Sequence, residues 1–280
     1  MDISSYKFHQ EVWLDDVSLI VGWREEVGHI GSGVIKYLKE KLKCSLVAEI
    51  EPPGFFPMNS IPVEDDVARF PESKLFCYPE KNLLLFLSHS PNGEWYKFLN
   101  SIITVAQHYG RLKEIYTLGG MISLSTHNMP RQILGTVNMF AFKKSLTNLD
   151  IELSMDYETP EGQRPTLSSF LIWTAKQQNI PGASLWIPVP FYLADVEDSW
   201  AILKAVEIFS RKFELGLDLS DLYRSVDIQK EKIVRVCDQI PELNDYFNRL
   251  ENSQGLSPDE NDKLIRSIRD SLETPDDINI

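Results

Sequence analysis

Two histidines and one arginine carry the groups best suited to chemistry in this sequence. His89 stands in Ser88-His89-Ser90-Pro91-Asn92-Gly93, and His127 and Arg131 stand in His127-Asn128-Met129-Pro130-Arg131. An imidazole changes charge near neutral pH and can move protons, whereas a guanidinium holds carboxylates or phosphates through paired N–H groups. Each segment follows an apolar run that reads as a strand: Leu83–Leu87 before His89, and Ile115–Leu118 before His127. In open α/β sheets ligands collect at the carboxyl ends of strands, so the two segments are expected to line one cleft. Glu25 or Glu26 beside them would complete an acid–base set. Gly119-Gly120 is expected to end its strand in a tight turn and offer backbone N–H groups to an anion. The candidate cleft is therefore Gly119, Gly120, His127, Arg131, His89 and Glu26. The competing explanation is that these loop imidazoles simply hydrogen-bond the backbone.

Other chemistries lack their signatures. No His pair has helical metal-ligand spacing, and no serine sits in a G-x-S-x-G elbow. Cys44, Cys77 and Cys237 are far apart and form no C-x-x-C, and Cys44 and Cys77, in or beside apolar runs, read as buried, inert thiols. Glycines at 28, 31 and 33 follow a strand but are spaced G-x-x-G-x-G. That leaves a dinucleotide site, with Glu49 toward a ribose, or close helix–strand packing. No cofactor or metal is expected.

The elements that would position these residues follow from hydrophobic period. Val17–Val21 and Ser45–Ile50 read as strands flanking a helix from about Gly31 to Lys41, the unit of a parallel, helix-covered sheet. Leu83–Leu87 (LLLFL) is the most apolar run and reads as a strand buried on both faces. Val67–Phe70 and Leu75–Tyr78 suggest a hairpin. Helices are expected at Glu94–Tyr109, closed by Gly110, and at Thr166–Gln178. Further strands are expected over Thr136–Phe142, Glu152–Tyr157 and Ala183–Pro190. Asp198 or Ser199 caps another helix. From Leu219 a charged, narrow-seamed helix runs until Pro241 breaks it, and Ser257-Pro258-Asp259-Glu260 is a capping box. The expected organisation is a core over 1–216, a helical appendage over 217–272 and a frayed tail over 273–280.

With 280 residues, 43% of them hydrophobic, the chain can bury a full core. A net charge of −13 argues against nucleic acid or an anionic membrane as partner. The N-terminus has no signal-peptide pattern and no apolar run is long enough to span a bilayer, so a cytoplasmic protein is expected.

Several strings in this order resemble the proteasome-assembly-chaperone family, in its bacterial and archaeal branch. They are Gly22-Trp23 with its acidic cluster and Gly28, Leu83–Leu87 with Trp95, and Leu118-Gly119-Gly120 with His127 and Pro130-Arg131. Gly182, the run Ser184–Ala194 (SLWIPVPFYLA) and Leu219–Tyr223 complete the set. The resemblance implies a three-layer αβα sandwich around a mostly parallel mixed sheet, similar to nucleoside phosphorylases. It also implies homo-oligomers, and for some members chaperone-like binding to proteasome α subunits. Two strings depart from the pattern. Family members often read His-Thr-Arg-Pro at His127–Arg131, and ring-docking archaeal members end in hydrophobic–Tyr–x where this chain reads Ile278-Asn279-Ile280. The reading is thus an assembly-chaperone-like, protein-binding homo-oligomer, with a proteasome-type subunit as a candidate partner. The alternative is an enzyme or binder of an anion or nucleoside-like molecule in a phosphorylase-like cleft.

Overall fold

The structure, a computed structural model, describes residues 6–57, 61–156, 158, 161–162 and 165–274. The expected tail beyond Thr274 and parts of the loops at 58–60 and 157–164 lie outside the described residues. The fold is α/β, with helices joined to a mixed nine-stranded sheet. Contacts gather into two compact units. One takes residues up to Glu25, Gly31–Gly119 and Leu134–Trp186; the other takes Glu26–Ile30, Gly120–Ile133 and the chain from Ile187 onward.

In chain order the elements are β1 (Tyr6–Phe8), β2 (Asp16–Trp23), α1 (Ile30–Lys41), β3 (Ser45–Ile50), β4 (Val63–Glu64), β5 (Val67–Ala68), β6 (Ser73–Tyr78) and β7 (Leu83–Ser88). Then come α2 (Trp95–His108), β8 (Arg111–Ser123), β9 (Ile133–Val137), β10 (Ile151–Glu152), α3 (Leu167–Gln177) and β11 (Gly182–Pro190). The sheet runs β1-β3-β6-β7-β2-β8-β11-β9-β10. Its centre is parallel, because β2 pairs with β7 on one side and β8 on the other. The flanks turn antiparallel, at β6 against β7 and β3, and at β9 against β11. Every residue of β7 is buried, as expected of a strand with neighbours on both edges and both faces covered. Helix α2 turns Phe98, Ile102 and Val105 inward, and Phe55, Phe56 and Phe86 surround the Phe98 ring at 5.0, 5.5 and 6.5 Å between centroids.

Three local expectations are corrected. Gly119-Gly120 does not end its strand; β8 runs through both, and neither has positive φ. These glycines are needed for what a Cβ would strike. At Gly119 it would lie 2.8 Å from the Trp186 ring, and at Gly120 2.1 Å from the Val27 carbonyl oxygen. Secondly, Val67 pairs with Glu64 rather than with Leu75–Tyr78. Asp65 and Asp66 both adopt left-handed φ (50° and 61°), closing a two-residue hairpin turn. Leu75–Tyr78 instead fills the sheet between β3 and β7. Thirdly, the strand expected over Thr136–Phe142 stops at Val137, and Phe140–Leu146 coils into a 3-10 helix.

The second unit is helical: α4 (Ser199–Lys212), α5 (Ser220–Gln239), α6 (Glu242–Glu251) and α7 (Pro258–Glu273). Asp198 caps α4 by accepting the Ala201 N–H, and Ser257 and Glu260 form the full capping box of α7. The seam of α5 buries Leu222, Val226, Ile233 and Val236. α4 and α7 both pack on α5, and α7 also reaches the 3-10 turn Phe191–Leu193, so residues 217–272 share this unit with α4 and with Gly120–Ile133. Among the described residues, no helix is long and apolar enough to cross a membrane.

Of the glycines in the possible dinucleotide fingerprint, Gly31 answers to packing against Gly22 of β2. A Cβ on Gly22 would sit 2.4 Å from the Gly31 carbonyl oxygen, and one on Gly31 2.7 Å from the Trp23 nitrogen. Backbone meets backbone there, so no side chain can yield. Gly22→Ala is expected to force β2 from α1 and destabilise the fold by about 1–3 kcal/mol or more, read as a lower urea midpoint. An unchanged midpoint would show that the strand–helix contact is looser than this.

Candidate functional site

The six candidate residues do not form one constellation inside either unit. His89 and Gly119 belong to the first unit; Glu26, Gly120, His127 and Arg131 belong to the second. Each unit builds its own polar centre.

In the first, β2 and β7 end side by side at the pair Trp23–Ser88, so Arg24 and His89 are the next residues out. The Arg24 N–H donates to the Ser88 carbonyl (2.8 Å), holding the two strand ends together. Arg24 Nη2 lies 3.1 Å from Glu72 Oε2, and Lys74 Nζ is 2.7 Å from Glu72 Oε1. Burial opposes ionisation of Glu72, but the Lys74 hydrogen bond and charge, with Arg24 and His89, outweigh it and hold the carboxyl below its usual range. The Glu72 N–H lies 2.9 Å from His89 Nδ1, and His89 Nε2 lies 3.7 Å from Glu25 Oε1. Glu25 is itself fixed by the Ser90 N–H (2.8 Å). Arg24, Glu25, Glu72, His89 and Ser90 line a cleft of about 930 Å³ whose other walls include Phe56, Phe70 and Pro71. The nearby Ser88 hydroxyl is fully buried and donates to the His89 carbonyl (2.7 Å), so it is not placed as a nucleophile.

In the second unit, Glu26 opens a 3-10 turn (Val27–His29) in which Gly28 takes φ 70°. The Gly28 N–H donates to the Ala194 carbonyl (2.7 Å), and its own carbonyl accepts from Asp198 N–H (3.0 Å). The Asp198 carboxylate is fully buried and takes the Arg131 guanidinium in a two-pronged ion pair. Arg131 Nη1 also donates to the Pro188 carbonyl (3.2 Å), and the guanidinium lies 4.1 Å from the Trp200 ring centroid. Arg131 thus spends its Nη groups and one face inside the unit.

His127 is similarly engaged. Its backbone N–H donates to the Tyr192 hydroxyl oxygen (2.7 Å), and that hydroxyl in turn meets Nδ1 (2.9 Å). Phe247 from α6 stands edge-on to both rings, at 5.2 and 5.3 Å. Burial, helped by the charges of Arg131 and Lys230, brings the His127 pKa down to about 4, so the ring is neutral at physiological pH. Burial likewise raises the Tyr192 phenol. Among the described residues, no group of three or more His, Cys, Asp or Glu is placed to hold a metal ion.

Sequence reasoning missed Tyr192 and Asp198 as partners of His127 and Arg131, and Glu72 as the hub of the first cleft. Asp198 carried a legible signal as a helix cap, but nothing local ties it to an arginine 67 residues away.

The depressed His127 pKa sets a pH dependence. Between pH 6.5 and 4 the unfolded chain holds a proton on this ring that the folded chain does not. Stability contributed by the neutral ring is therefore full above about pH 6.5 and is lost as pH falls toward 4, by about 3 kcal/mol in total. His127→Asn keeps an acceptor for Tyr192 and cannot titrate. Urea midpoints for the two proteins are expected to converge as the pH drops from 7 to 4; parallel curves would contradict the buried, neutral imidazole.

The sequence matches the model of the PAC2 family over residues 19–236. No functionally curated protein matches it. Among solved structures, an unknown-function protein of Mycobacterium tuberculosis superposes with a TM-score of 0.74 at 17% identity, over 96% of this chain and 92% of that one. The archaeal proteasome activator PbaB of Pyrococcus furiosus gives 0.65 at 16% identity, over 82% and 97%. A proteasome-assembly chaperone homologue of M. tuberculosis gives 0.64 at 16%, over 78% and 94%. At these identities the likeness is one of fold, and with the family match over most of its length it supports one conclusion: the chain belongs to the PAC2 family.

Proposed function

We propose that this chain is an assembly-chaperone-like, protein-binding member of its family, acting in the cytoplasm as a homo-oligomer on a proteasome-type subunit. The observation that carries this reading is an exposed apolar stretch in the second unit. Met121, Ile122 and Leu124, at the end of β8 and just beyond it, and Met129 in the following loop are 37%, 58%, 70% and 36% exposed. Beside them His127 and Arg131 turn their polar groups inward. Flexible methionines with branched aliphatic neighbours suit an adaptable protein contact, because they repack without losing polar partners. The fold shared with PbaB and the assembly-chaperone homologue points the same way.

The test is co-elution of the purified chain with proteasome-type α subunits from the same source, with masses measured by light scattering. The chain alone is expected at a multiple of its 32.2 kDa mass, and with α subunits in a larger species. Ile122→Glu with Leu124→Glu is expected to weaken that complex at least tenfold. No complex at micromolar concentration, or one indifferent to the double substitution, would sink the reading.

One observation favours a second reading, an anion or nucleoside-like ligand: the first unit's cleft lies at the carboxyl ends of two adjacent parallel strands and has the size of a ligand site. A ligand at about 100 times its Kd would stabilise the fold by roughly 2.7 kcal/mol. Phosphate, sulfate, nucleosides and nucleotides are to be screened by thermal shift against wild type and Arg24→Ala. A rise that depends on Arg24 is expected if this reading holds; no rise, or one that survives the substitution, ends it.

A further inference from the structure

The outward faces of α2 and α3 in the first unit differ from the rest of the chain in composition. Neither helix contains an aspartate or a glutamate, in a sequence with 41 acidic residues and a net charge of −13. In their place stands a run of aromatic rings. Phe170 and Trp173 lie 5.3 Å apart between centroids, Tyr96 sits 6.1 Å from Trp173 and 6.4 Å from Phe170, and Trp95 is 6.4 Å from Phe170. Trp95 and Phe170 rest partly on the core, and the Trp95 Nε1–H is taken by the Pro91 carbonyl (2.8 Å). Tyr96 and Trp173 cover nothing further out: they are 53% and 47% exposed. Uncharged amides extend this surface, with Gln178 joining Asn100 (3.0 Å) and Gln107 (3.4 Å).

We propose that this face is where a second copy of the chain docks, through a two-fold contact in which Tyr96 and Trp173 of each copy pack on the other. Two copies of a protein at −13 repel each other over most of their surfaces, and the repulsion is weakest where carboxylates are absent. Lys97, on α2, holds its Nζ 6.0 Å from the Phe55 ring centroid, and Lys176 lies in the last turn of α3, so the two helices carry two lysines and no carboxylate. A carboxylate-free centre built of Trp, Tyr and Phe, with amides around it, has the aromatic composition of an interface core. A two-fold contact places like residues opposite each other, which suits rings and amides and would penalise acids. An anionic lipid surface is the less favoured occupant, because the net charge of the chain opposes it.

The inference rests on the homo-oligomer reading, and the experiment separates the two. Light scattering and sedimentation equilibrium are to be run at matched concentrations on wild type, Tyr96→Glu with Trp173→Glu, Trp173→Ala, and Phe140→Glu as a control at another exposed aromatic. Circular dichroism melts verify that each variant is folded. Wild type is expected at an even multiple of 32.2 kDa, the glutamate pair at half that mass or less, and Phe140→Glu at the wild-type mass. Trp173→Ala, the milder change, is expected to weaken association at least tenfold. A monomeric wild type overturns the homo-oligomer reading and this inference with it. An oligomeric wild type whose mass survives both substitutions overturns this inference alone. Co-sedimentation of monomeric wild type with phosphatidylserine vesicles, lost on Trp173→Ala, would assign the face to lipid and also overturn it.

Discussion

The second unit is organised by one buried ion pair. A guanidinium and a carboxylate taken from water each lose several kcal/mol of solvation, and their attraction repays this only in good geometry with the remaining hydrogen-bonding capacity filled. Asp198 meets the second condition with the Ala201 N–H, so the anion that holds Arg131 also starts α4. Arg131 meets the first through two-pronged pairing, the Pro188 carbonyl and the face of Trp200. The backbone around the pair is equally committed. Asp198 N–H donates to Gly28, and Gly28 must hold φ 70° while a Cβ there would come within 3.0 Å of Val189. Four separate stretches of chain are thus fixed by one contact: the loop after β8, the end of β11, the turn at Gly28 and the start of α4. Either charge alone would be an unpaired ion in the interior, so the pair is retained or replaced only as a pair.

That commitment explains how far the sequence could be read. Period and capping are local, and they located β2, α1, β3, β7, α3, β11, the Asp198 cap and the Ser257 capping box within a residue or two. Glycine is ambiguous locally, since it serves either a positive φ or a missing Cβ. At Gly119-Gly120 the turn was the expectation and the missing Cβ is the fact, because the atoms that decide it belong to Trp186 and Val27. Similarly, Val67 was expected to pair toward Leu75–Tyr78, and two left-handed aspartates turn it onto Glu64 instead. Partnerships such as Arg131 with Asp198, or His127 with Tyr192, span more than sixty residues and leave no mark in local spacing.

The same distinction bears on chemistry. Acid–base work near neutral pH needs a group whose pKa is held close to 7. Here burial drives His127 down to about 4 and raises the Tyr192 phenol. Burial also lifts the thiols of Cys44 and Cys77, to about 12 and about 11, further from the reactive thiolate. All of these shifts run away from the useful range, as expected of groups buried to hold the fold. The first unit's cleft differs, since Arg24, Glu25, Glu72 and His89 keep partial access to solvent. Its polar groups are nonetheless largely paired with one another, so a ligand there must compete with existing ion pairs.

Interior and surface therefore play opposite parts. The His127 and Arg131 side chains are drawn inward and paired, while Ile122, Leu124, Tyr96 and Trp173 remain in water without a covering element. Singly exposed apolar residues are ordinary, but clustered ones lose free energy to water that a partner recovers. On an acidic chain the position of such a cluster matters as much as its size. A long-range repulsion of one sign leaves association to those faces where carboxylates are missing, and α2 with α3 is such a face. Affinity would then come from a few large rings, and choice of partner from the charge around them.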